Sequence, residues 1–388
     1  MADPDELLLP EVRILWECIH RAGEATGERE GLTLEEQPGS GPKVGSALVM
    51  LAFVALLGIT VILMLFSFPA GVYSVFSGRL SQNFTYGTVI RPYYWIGPAV
   101  GYTPFVVSAG VWYAMFTAIY LLFFLYALAQ KEHFWSAIGG AFRTGFEALT
   151  SSPFVIAIVS VGFLIFSSSI IDLLVSSSGT PIGGPTGDPL ELLLGFSVAP
   201  LVEEVGFRLL LIGTVAFILS MGRSWKAALG AVWRPSRVLE GFTVGSGVSV
   251  IIWAATSFSA VTFGACHVIC GSGTWDIGKL PEAIYGGFVL GYLYVRYGLH
   301  VAVLAHWGVD VFGSVYAFFG QAAYGIPWES TTKEFAGQYL VDLDMLFLFG
   351  LASFLLVIYL GLRKIARSRF AGPSGDFKAP LDGGGVEA

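Results

Sequence analysis

Three charges in six residues, Glu203, Glu204 and Arg208, lie inside the long apolar stretch from Leu190 to Ser220. Two further apolar stretches carry Phe263-Gly-Ala-Cys-His267 and His306-Trp-Gly-Val-Asp310. Carboxylates and imidazoles take and return protons near neutral pH, so together these groups contain what is needed to activate a water molecule. On a helix, Glu204 and Arg208 are one turn apart and can pair, as can His306 and Asp310. Glu203 points about 100° away from Glu204 and is left available for another role. A purely structural polar network that glues helices together accounts for any single pair. It accounts less well for six acid, base and imidazole groups on three helices.

The elements that carry these groups are membrane spans. The chain has 388 residues, 55% hydrophobic and 13% charged, against about 25% charged in a soluble domain. A helix crosses the hydrocarbon core with about 20 apolar residues. Such stretches run from Ser46 to Phe68, Phe105 to Ala129, Phe154 to Val175, Leu190 to Ser220, Val244 to Cys270, Ala283 to Val295, His300 to Gly320 and Leu343 to Leu362. The expected fold is therefore all-α, a polytopic bundle of about eight transmembrane helices. An ionisable group in such a helix costs several kcal/mol and faces a cavity or a partner. Counted along the spans, His267 falls near the outer end of the fifth. Either that helix starts later and sits deeper, or 271–281 folds back into the protein.

Residues 1–43 form an acidic tail with ten acids against four bases, holding a short amphipathic piece from Leu7 to Cys18. Residues 44–363 form the bundle, with a core at 189–320 that carries the chemistry, and 364–388 form a basic and then Gly-rich tail. With eight spans, sixteen Lys and Arg fall in the cytoplasmic segments and four outside, which predicts that both termini are cytoplasmic. The net charge of −7 is concentrated in the N-terminal tail and does not suit a nucleic-acid surface. An acidic chain with fourteen Arg to seven Lys points to a prokaryotic cell membrane. The segments 77–102 and 176–189 read as loops, and Trp135 to Ser151 as an interfacial helix. The three cysteines form no zinc-ribbon or disulfide framework and read as small apolar residues.

Glu203-Glu204-x-x-x-Arg208, Phe263-x-x-x-His267 and His306-x-x-x-Asp310, in this order on successive helices, resemble the three motifs of the CAAX-processing and bacteriocin-processing (CPBP, or Abi) intramembrane proteases, which include the type II CAAX prenyl endopeptidases. The resemblance covers about 189–320. It implies a bundle of about eight helices enclosing a hydrophilic cavity, and a peptide or prenylated-peptide substrate reached within the lipid bilayer. It also implies that Glu203 and His267 activate water, that His306 and position 310 stabilise the oxyanion, and that Glu204 and Arg208 position the first glutamate. Many members have Asn where this chain has Asp310, and an ionised carboxylate cannot donate a hydrogen bond. Asp310 must then be protonated, orient His306 or bind a metal. Two histidines with carboxylates would suit zinc, and a metal-independent mechanism is equally compatible. Competing readings are a proton-coupled transporter and a non-catalytic membrane scaffold or immunity protein of the same fold. The sequence leaves the oligomeric state open.

Overall fold

The computed structural model describes residues 44–130, 133–239, 247–270, 274–330 and 340–370. The amphipathic piece from Leu7 to Cys18, the rest of the acidic tail and residues 371–388 lie outside the described residues, as does part of 271–281.

The chain is a helical membrane bundle. Six helices among the described residues are long and apolar enough to cross a membrane. These are α1 (Val44–Phe76), α2 (Ala109–Leu128), α4 (Pro153–Ser177), α8 (Gly247–Ile269), the run beginning with α10 (Leu299–Trp307), and α12 (Leu340–Phe370). The short α3 (Phe134–Thr144) and α7 (Trp225–Trp233) lie between spans. The other two expected spans are also helical. One is α9 (Lys279–Tyr297). The other is α5 (Pro189–Glu203), continued by α6 (Thr214–Ser220), and it holds the three charges that remove it from a count based on composition. The expected interfacial helix corresponds to α3 and a 3-10 turn at Phe146–Ser151.

Two helices change winding where the charges sit. Between α5 and α6 the chain is π-helical over Glu204–Gly213, here π1. After α10 it is π-helical over Gly308–Phe312, here π2, before α11 (Gly313–Tyr324). A π turn closes its hydrogen bond one residue later than an α turn and is frequently found at functional sites. Both widened stretches contain a glycine at a close approach: a Cβ on Gly308 would collide with the Val161 side chain, and one on Gly206 would lie 2.5 Å from Trp95 Cβ.

The start of α5 follows from its sequence. The Asp188 carboxylate accepts from Leu190 N–H at 2.9 Å and Pro189 occupies the first turn, where its missing N–H costs nothing. The Ser81 hydroxyl donates to the same carboxylate. Further along, Pro200 removes one ladder donor, and the buried Tyr120 hydroxyl enters at that turn. It donates to Ser197 C=O at 2.7 Å and accepts from Leu201 N–H at 3.2 Å. These two backbone groups lie one helical turn apart, so the phenol bridges the turn that ends just before Glu203.

The segment read as a loop over 77–102 contains strands. β1 (Val89–Ile90) pairs antiparallel with β4 (Val107–Ser108), and between them β2 (Tyr93–Ile96) pairs with β3 (Ala99–Tyr102). The aromatic and β-branched residues there form a nested hairpin rather than an irregular connection. β2 packs on α5 and π1.

Candidate active site

Glu204 and Arg208 are fully buried, and Arg208 Nη1 lies 3.0 Å from Glu204 Oε1. Arg208 also reaches the Gly287 carbonyl of α9 at 3.3 Å and lies over the Phe263 ring at 4.1 Å. The guanidinium thus ties π1 to both α8 and α9. The Ser259 hydroxyl adds a second link by donating to Phe207 C=O at 2.8 Å. Such bonds between small polar groups hold membrane helices together.

His306 stands at the centre. Its Nδ1 is 2.8 Å from Glu204 Oε1, and its Nε2 is 3.3 Å from Asp310 Oδ2 and 3.7 Å from Glu203 Oε2. Glu204 therefore touches Arg208 and His306, and a chain of contacts runs from the guanidinium through the carboxylate to the imidazole. The Glu203 and Asp310 side chains keep 17% and 24% exposure, so the Nε2 side of His306 is partly open while Glu204 on its Nδ1 side is covered.

His267 comes from the end of α8. Its Nδ1 lies 2.9 Å from Phe263 C=O. A carbonyl only accepts, so the proton sits on Nδ1 and Nε2 carries the lone pair in the neutral ring. The Phe263 ring lies 4.6 Å from the His267 ring and 5.9 Å from the His306 ring, filling the space between the two imidazoles. This contact sets the end of α8 level with His306. The helix is described from Gly247 onward, and the described residues 274–278 pair with 181–184.

The structure thus brings Glu203, Glu204, Arg208, His306 and Asp310 together, with His267 adjoining them through Phe263. Among the described residues, no group of three or more His, Cys, Asp or Glu side chains is arranged to hold a metal ion. Both nitrogens of His306 face carboxylates. Cys266 is buried with Phe207 and Phe263, as a small apolar residue would be, and its thiol lies 2.8 Å from that of Cys270.

Sequence reasoning missed the groups that support the site from outside the three motifs: Tyr120, Tyr93 and Trp95. Trp95 packs on Phe207 at 5.8 Å between ring centroids, and Gly97 N–H donates to Gly206 C=O at 3.1 Å. The signal available was Gly206 itself, a glycine inside a charged helix turn where only a close approach explains the lost side chain.

No curated protein and no solved structure matches the chain. The family model described as type II CAAX prenyl endopeptidase Rce1-like matches residues 185–312, which is 128 of 388 residues and includes all three motifs. Over this third of the chain the sequence is similar to the type II CAAX prenyl endopeptidase Rce1-like family.

Proposed function

We propose that the chain is an intramembrane endopeptidase in which Glu203 and His267 activate water against a scissile peptide carbonyl. Glu203 takes the water proton as the oxygen attacks carbon, and the tetrahedral intermediate collapses as that proton passes to the departing amine. The products are a carboxylate and an amine, so no oxidant or co-reactant enters the balance. The observation that carries this reading is the asymmetry of His306. One nitrogen is fixed through Glu204 to the buried Arg208, and the other faces the partly exposed pair Glu203 and Asp310. In this reading Glu204 and Arg208 act through His306, and Asp310 orients the imidazole instead of donating to an oxyanion. The substrate class is a prenylated C-terminal CAAX-like peptide, in line with the family to which 185–312 is similar. Both termini face the cytoplasm on the Lys and Arg distribution.

The test is cleavage of a farnesylated peptide reporter by the purified chain in detergent, read by mass spectrometry. Glu203→Gln is expected to lower turnover by about 10²–10⁴-fold while the protein keeps its thermal midpoint. The same reaction with EDTA is expected to run at the untreated rate. Turnover of Glu203→Gln equal to that of the parent chain removes the carboxylate from the mechanism.

A further inference from the structure

Hydrolysis of a peptide bond creates an oxyanion, and the six motif residues offer it little. Both nitrogens of His306 face carboxylates. The Nδ1 proton of His267 is taken by Phe263 C=O. As a carboxylate, Asp310 only accepts. Glu204 and Arg208 are sealed at 0% exposure, so a donor from outside the motifs would add to what these residues supply.

Two phenols lie within electrostatic reach of both Glu203 and Asp310, those of Tyr120 and Tyr93. Tyr120 is committed, since its hydroxyl donates to Ser197 C=O. The Tyr93 hydroxyl carries no hydrogen bond among the described residues. Its strand explains its direction. Along β2, Tyr93 and Trp95 are partly buried while Tyr94 and Ile96 are exposed, the alternation of a strand lying on a protein surface. Trp95 fixes that strand to π1: its Cβ fills the space left by Gly206, its ring meets Phe207, and Gly97 N–H bonds Gly206 C=O. With Trp95 seated one residue pair away, Tyr93 faces the same surface at the Glu203 end.

We propose that Tyr93, delivered by the hairpin that docks on Gly206, donates its phenolic proton as a hydrogen bond to the oxyanion of the tetrahedral intermediate. Burial first, and the charge of Glu203 next, hold this phenol above its ordinary range, so it stays a neutral donor wherever Glu203 works as a base. Preorganised donors aimed at developing charge are among the largest contributions to catalysis. The assignment rests on the endopeptidase reading above and adds a residue from outside the matched segment 185–312.

The experiment uses the full chain and the farnesylated reporter. Tyr93→Phe keeps the ring and removes the donor, and is expected to lower kcat by about 10²–10³-fold with KM unchanged. Tyr94→Phe, on the exposed side of the same strand, is expected to match the parent chain. Tyr93→Phe is also expected to keep the parent thermal midpoint, which separates loss of the donor from loss of packing. Parent-like kcat in Tyr93→Phe overturns the assignment and leaves the endopeptidase reading standing. A parent chain that cleaves nothing defeats that reading, and the Tyr93 role with it.

Discussion

α1 and α10 are both apolar helices, and the more hydropathic of the two is the less buried. Within α1's most hydropathic 18-residue window, 28% of residues are buried, while in the window beginning with α10 the share is 67%. Leu48, Val49, Leu51, Ile62 and Phe66 of α1 stand exposed, whereas every residue of α10 from Leu299 to Trp307 is covered. In water this order would be reversed. In a bilayer the solvent is itself apolar, so large aliphatic side chains can face outward, while alanine, glycine and polar residues bring helices close together. Chemistry accordingly collects on the helices that read as the weaker spans.

This contrast can be broken at four points of decreasing severity. The largest effect is expected at Arg208, where Arg208→Ala leaves Glu204 buried without its cation and costs roughly 3–5 kcal/mol, read as a large fall in thermal midpoint and loss of turnover. A parent-like midpoint would mean that the pair is not sealed from water. Trp307→Ala in the centre comes next, at about 3–5 kcal/mol for an emptied aromatic site. Its ring stacks on Phe68 at 4.9 Å, and the measured drop tells how rigid the centre is. Gly206→Ala follows: the new methyl meets Trp95, so about 1–3 kcal/mol of overpacking is expected, together with lower activity as the hairpin lifts from π1. The smallest change is expected from Ile62→Ala on the open face of α1, within about 0.5 kcal/mol of the parent chain. A drop at Ile62 as large as that at Trp307 would remove the distinction between the two helices.

Much of this was legible in the residues. Long apolar runs gave the bundle, because nothing else satisfies backbone groups in lipid. The i,i+4 spacing paired Glu204 with Arg208 and His306 with Asp310, and both contacts are present. What spacing could not give was the contact between motifs. That Glu204 reaches His306, 102 positions later in the chain, depends on how three helices cross. The two π segments were also invisible, since an added backbone residue leaves no mark on hydropathy. The hairpin at 93–102 was hidden for a different reason: glycine, proline and tyrosine serve loops and short strands alike, and only docking on Gly206 selects the strand.

The helix from Pro189 to Ser220 is best regarded as two α-helical rods joined by the wide turns of Glu204–Gly213. Wide turns take up extra chain locally, so the carboxylate end and the end from Thr214 onward can each keep its own neighbours. Forcing the joining stretch into plain α winding at unchanged length would turn the two rods against each other. The carboxylate end would then lose its foundation without any of the six motif residues being replaced.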